Sequence, residues 1–186
     1  MIQIPSLFVP DLAALLARML LLKQERCPFC ERSLSLNRHS FLYGNNPAGA
    51  NCKMLRGQRV LCSNRGQRGG CGRSFSIFLA DILPRHSITA VVLWALLVGL
   101  LDGHSLKATA EALRFPFAIE SFYHLLKRVR GRLDVVRSLL HGQTPPPSSS
   151  RASPLLQTIE HLCTAFPQAE CPMQAFQVFF QTALMG

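Results

Sequence analysis

The sequence predicts a mainly α-helical protein with one small β unit near its start, and three observations predict it. Two cysteine pairs, Cys27 with Cys30 and Cys62 with Cys71, enclose short runs of strand-forming residues at Phe41 to Tyr43 and Gln58 to Leu61, with a third run at Phe75 to Phe78 just beyond. An apolar run of 14 residues, Ile88 to Leu101, then has the composition of a buried helix. Further on, Ile119, Phe122, Leu126, Val129, Leu133, Val136 and Leu140 recur in steps of three and four, the period of a helix packed along one side. The expected order is an N-terminal helix (1–25), a cysteine-bound β unit (26–80), a three-helix domain (84–142), a Pro/Ser linker (143–153) and a helical tail (154–186).

Pro10-Asp11 precedes Leu12, Leu15, Leu16, Met19 and Leu22, whose helical spacing predicts a helix over about residues 11 to 25. A helix this apolar must pack on later helices or on another subunit. The same stretch has no basic leader and no small-residue cleavage site, and it contains Asp11 and Arg18, so it does not read as a secretory signal. The longest apolar run is shorter than the roughly 18 to 20 residues a membrane span needs. The expected location is the cytoplasm, with no membrane partner. Seven cysteines, an odd number, also argue against a disulfide framework.

Cys27-Pro28-Phe29-Cys30 is a metal knuckle, in which two thiolates from one tight turn bind one ion. The second pair is looser, with eight residues between Cys62 and Cys71, but glycines at 66, 69, 70 and 72 let that loop fold back. The unit over 26–80 therefore reads as a small β zinc ribbon with Cys27, Cys30, Cys62 and Cys71 as ligands. Cys52 stands as a substitute for Cys62. One Zn²⁺ per chain is expected, structural because four thiolates leave no open position for water or substrate.

Pro84-Arg85-His86-Ser87 punctuates the chain, and Ser87 is a plausible N-cap for a helix from Ile88 to Leu101 that Asp102-Gly103 ends. Ser105 caps a short second helix with Leu106, Ala110 and Leu113 on one face, stopped by Phe115-Pro116. The third helix starts near Ile119 and runs along the whole apolar stripe, with Glu120, His124, Lys127 and Arg128 on the opposite side. A short second helix, a tight turn and a basic third helix are the outline of a helix-turn-helix domain. A charged outer face is also what simple solvation requires, so the pattern alone does not separate the two. The three prolines and three serines of 143–153 form no core.

The net charge is +10, and residues 23 to 74 carry ten Lys or Arg against two acids. A basic excess concentrated on the ribbon points to a polyanion. Arg56, Arg59, Arg65, Arg68 and Arg73 are the expected phosphate contacts, and His124, Lys127 and Arg128 the expected approach to base edges of DNA. Structured RNA would suit the same basic loop. The apolar N-terminal helix, the stripe of the third helix and the C-terminal tail leave room for a homodimer or a protein partner.

The ribbon, its ending Cys71-Gly72-Arg73-Ser74-Phe75-Ser76, the Trp94 helix, and the run from Asp102 through Gly103, His104, Ser105, Leu106, Lys107, Ala108, Thr109, Ala110, Glu111 and Ala112 to Leu113 together resemble the N-terminal zinc-ribbon and helix-turn-helix region of bacterial insertion-sequence transposases. The resemblance covers about residues 25 to 140. It implies that the four cysteines bind zinc and that ribbon and helices recognise terminal DNA. Those transposases cut with three carboxylates on an RNase H-like sheet, whereas only 44 residues follow Gly142 here, with Glu160 and Glu170 as their acids. No enzyme is expected. The sequence suggests a zinc-stabilised DNA-binding regulator or accessory factor. The alternative is a zinc-ribbon module that binds protein or RNA within a larger assembly.

Overall fold

A computed structural model describes residues 6–46, 49–66, 69–114 and 118–185. Strand β1 (Ser6–Val9) comes first and is followed by helix α1 (Leu12–Leu21), whose N-cap Asp11 accepts the Ala14 N–H at 2.7 Å. Strands β2 (Leu36–Asn46), β3 (Gly49–Cys62) and β4 (Ser74–Leu79) complete a mixed four-stranded sheet of order β1-β4-β3-β2. β1 runs parallel to β4, in register from Ser6 opposite Ser76 to Val9 opposite Leu79, while the other two pairings are antiparallel. One core lies between α1 and the sheet, from Val9, Leu15, Met19 and Leu22 through Leu36, Val60, Phe75 and Ile77 to the thiols of Cys27 and Cys62.

The described elements after β4 are all helices: α2 (Ala90–Leu101), α3 (Leu106–Ala112), α4 (Ile119–Arg130), α5 (Leu133–His141), α6 (Pro154–Ala165) and α7 (Pro172–Phe180). Helix α2 is apolar on all sides because it lies inside this second core, which Leu93, Trp94, Leu96 and Leu97 fill together with Phe122, Leu126, Val136, Leu140, Ile159, Leu162, Met173 and Phe176. Its cap is Thr89 rather than Ser87, with Thr89 Oγ1 accepting the Val92 N–H at 3.4 Å. Ser105 caps α3 as expected, accepting from Ala108 N–H at 3.1 Å. The stop placed at Phe115-Pro116 lies outside the described residues.

This architecture corrects the expected fold class. There is no small ribbon followed by a three-helix, helix-turn-helix-like bundle; a four-stranded mixed sheet is followed by six helices that share one core. The third helix of the expected bundle is two helices. Gly131 and Arg132 break it, Arg132 at φ −112° and ψ −3°, and the apolar stripe continues across the break because α4 and α5 both bury it in the same core. The three short strand candidates are parts of longer strands, and β1 precedes the expected N-terminal helix.

The tail also binds the two cores together. Buried Gln177 donates from Nε2 to the carbonyls of Ala80 at 2.6 Å and Ile82 at 3.2 Å, and its Oε1 accepts the Leu184 N–H at 3.3 Å. Gln181 pairs with the free side of β1, accepting the Phe8 N–H and donating to the Phe8 carbonyl, both at 3.0 Å. A glutamine amide so placed behaves as one more peptide group beside an edge strand, satisfying backbone that burial would otherwise leave unpaired.

Candidate metal centre

The turn after α1 brings the first two thiols together. Arg18 at the end of α1 grips Glu25 with two parallel bonds, Nε to Oε1 at 2.8 Å and Nη2 to Oε2 at 2.9 Å, and so fixes the approach to Cys27. The Cys27 N–H then donates to the Arg32 carbonyl at 3.0 Å and the Glu31 N–H to the Cys27 carbonyl at 2.8 Å, which closes the loop around Cys30. Phe29 N–H points at Cys27 Sγ, 3.4 Å away.

The second pair is closed by the strand ends. Cys62 ends β3, and its N–H donates to the Arg73 carbonyl just before β4, while Gly72 N–H returns to the Cys62 carbonyl and Gly70 N–H to the Ser63 carbonyl, each at 2.9 Å. The intervening residues thus leave and re-enter at one point, and the Cys71 N–H donates to Cys62 Sγ at 3.3 Å. Gly70 is required there. A Cβ on it would stand 2.3 Å from the Ser63 carbonyl oxygen and 2.6 Å from Cys62 Sγ.

All four sulfurs lie within 4.8 Å of one another, with Cys27 to Cys71 at 3.8 Å and Cys30 to Cys62 at 3.7 Å. Thiolates about 2.3 Å from a tetrahedral ion stand about 3.8 Å apart, so the cage has the size a metal ion needs. Burial pushes the Cys27 thiol up to about 12. Burial also acts upward on Cys62, but hydrogen bonds from the Ser35 hydroxyl at 3.2 Å, the Cys71 N–H and the thiols of Cys27 and Cys30 outweigh it and bring Cys62 down to about 7. These donors stabilise a thiolate, which is the protonation state a metal ligand requires. Cys52 lies on β3 well before Cys62, with its side chain outside the described residues.

The basic residues divide. Arg59, Arg65 and Arg73 are exposed, Arg73 lying over the Phe29 ring at 5.5 Å from its centre. Arg68 lies outside the described residues. Arg56 does not face solvent as the phosphate reading expects: its guanidinium is half-buried and donates to the carbonyls of Leu83 and His86, and burial lowers its pKa. His124, Lys127 and Arg128 are exposed along one side of α4, and Arg128 Nη1 stands 3.4 Å from Nε2 of buried His86. The expected ribbon set and helix set therefore meet at one residue, His86, which the sequence marked only as part of a turn. Ser35 was missed too; its signal is a hydroxyl one residue before β2, whose first residue, Leu36, pairs with Cys62. No family model, no curated protein and no solved structure matches the chain.

Proposed function

We propose that the chain is a zinc-stabilised DNA-binding protein, acting as a regulator or accessory factor without catalysis of its own. The observation that carries this reading is the charge around the metal cage. Between Glu31 and Asp81 the chain holds eight Lys or Arg and no acid, and Arg59, Arg65 and Arg73 of that stretch are exposed on the rigid frame of the sheet and the four thiols. Zinc suits a cage of four sulfurs and no other donor, and its role is to hold Arg65 and Arg73 on a loop that has few apolar contacts of its own. Helix α4 adds His124, Lys127 and Arg128. Relation to transposase DNA-binding regions is part of the proposal and is supported by the ribbon motif and the run from Asp102 to Leu113.

The test is duplex DNA binding by the variant Arg59→Gln/Arg65→Gln/Arg73→Gln. Three lost phosphate contacts reduce the salt slope by roughly 3 and weaken binding at moderate salt by about tenfold or more, with metal content unchanged. Unchanged affinity would overturn the reading. A second reading, a subunit held by protein contacts, is favoured by α1, whose outer face exposes Leu12, Leu16, Leu20 and Leu21 by 46%, 49%, 77% and 53%. Sedimentation of the wild type against Leu16→Glu/Leu20→Glu separates the two, since only an interface on α1 makes the assembly state change.

A further inference from the structure

We infer that the β2–β3 hairpin is a stacking platform for unpaired nucleobases, and that the ligand class is single-stranded nucleic acid. The inference rests on the nucleic-acid reading above and adds a single-strand ligand to it.

Among the described residues the rings of Phe8, Phe75, Phe122 and Phe176 are at most 2% exposed. Phe41 and Tyr43 are 49% and 60% exposed, and they sit two residues apart on β2, which places both rings on one side of the strand. Their centres are 6.2 Å apart with planes tilted by 57°, so each ring keeps an open face. Phe179, another exposed ring, instead meets two rings, Phe166 and Phe180, edge-on at 6.0 and 4.8 Å between centres. A register shift between Arg38 and Ser40 precedes the pair and another, between Leu42 and Tyr43, falls within it, and such bulges twist a strand and re-aim its side chains.

Charge selects the occupant. The two strands carry exposed Arg38 and Lys53 and no acid. Lys53 is paired to Asn45 on the side of Tyr43 and Arg59 to Ser40 on the other side, so the rings lie in a field that attracts an anion and repels a basic partner. In a duplex the base faces cover one another about 3.4 Å apart and only their edges are free. A strand with unstacked bases offers the faces themselves, and base–aromatic stacking beside a cationic track is how sequence-tolerant single-strand binding works. β2 is also the edge strand of the sheet, so an extended chain can approach it without displacing another strand.

The test is fluorescence anisotropy with oligothymidine and oligouridine of about 20 nucleotides and a random duplex of equal length, against wild type, Tyr43→Phe and Phe41→Ala/Tyr43→Ala. Both rings are exposed, so melting temperature and metal content verify that the variants fold. The double variant is expected to bind either single strand about 20-fold or more weakly and the duplex within about twofold of wild type, while Tyr43→Phe retains binding. Thymidine and uridine arms then show whether the DNA-type or the RNA-type strand is preferred. Unchanged single-strand binding in the double variant, or equal loss on strand and duplex, overturns this inference and leaves DNA binding standing. If the wild type binds neither nucleic acid, both fall, and the rings are left to a protein partner.

Discussion

The backbone N–H of Cys71 donates to Sγ of Cys62 at 3.3 Å, so two cysteines with eight residues between them act as one knuckle. Gly70 makes that contact attainable, because a side chain there would meet Cys62 Sγ and the Ser63 carbonyl. Gly70→Ala should therefore lower metal affinity by about tenfold or more, read by competition with a chromophoric chelator. Wild-type affinity in this variant would show that the loop closes in another way.

The Ser35 hydroxyl lies 3.2 Å from Cys62 Sγ, and both residues are buried. Ser35→Ala should cost about tenfold in metal affinity, as outer donors to a metal ligand do, while leaving the metal count at one per chain. Cys71→Ser should lose the metal and Cys52→Ser retain it, both measured by native mass spectrometry. Full metal in Cys71→Ser would sink the ligand set.

Gln177 is wholly buried and serves three backbone groups, the carbonyls of Ala80 and Ile82 and the N–H of Leu184. Gln177→Ala strands them, at a cost of about 3 kcal/mol. For a chain of this length that is a fall of roughly 6 to 12 °C in Tm. A fall of under about 2 °C would mean that the tail does not stabilise the sheet through this residue.

His86 is buried against two guanidiniums, Arg128 across its Nε2 and Arg56 at its carbonyl, with Asp81 acting on Arg56. Burial first, then the charges of Arg128 and Arg56, hold its pKa below the ordinary 6.5. Above that value the ring is neutral in both folded and unfolded chains. As pH falls below it, the unfolded chain takes up the proton first, so stability is lost between the ordinary value and the lowered one. Wild type should lose more stability than His86→Gln between about pH 7.5 and 5.5 in thermal melts, and parallel profiles would contradict the account.

The metal site was legible in the sequence because its signal is chemical and local: a knuckle spacing at Cys27 and Cys30, and glycines where Cys62 must turn back to Cys71. Ser105 and the end of α2 at Asp102-Gly103 were legible for the same reason. β1 was not, since four residues carry no periodicity and their partner Ser76 to Leu79 lies some seventy positions away. Nor was the break at Gly131, because two helices that share a core can carry one stripe. Arg56 reads like its neighbours in the sequence, and only the approach of the 83–86 turn to β3 makes it a structural donor. Gln174, Gln177 and Gln181 did leave a trace, three amides at helical spacing in the otherwise largely apolar run from Met173 to Leu184.

The most direct measurement is the affinity of the zinc-loaded protein for random duplex DNA across a salt series. With roughly six phosphates neutralised by the arginines beside the four thiols and by α4, affinity should fall by about three orders of magnitude between about 50 and 200 mM salt, because each contact releases a condensed counterion. Binding that is absent, or that barely changes across the series, would contradict a nucleic-acid surface on this sheet and leave the exposed leucines of α1 as the face that meets a partner.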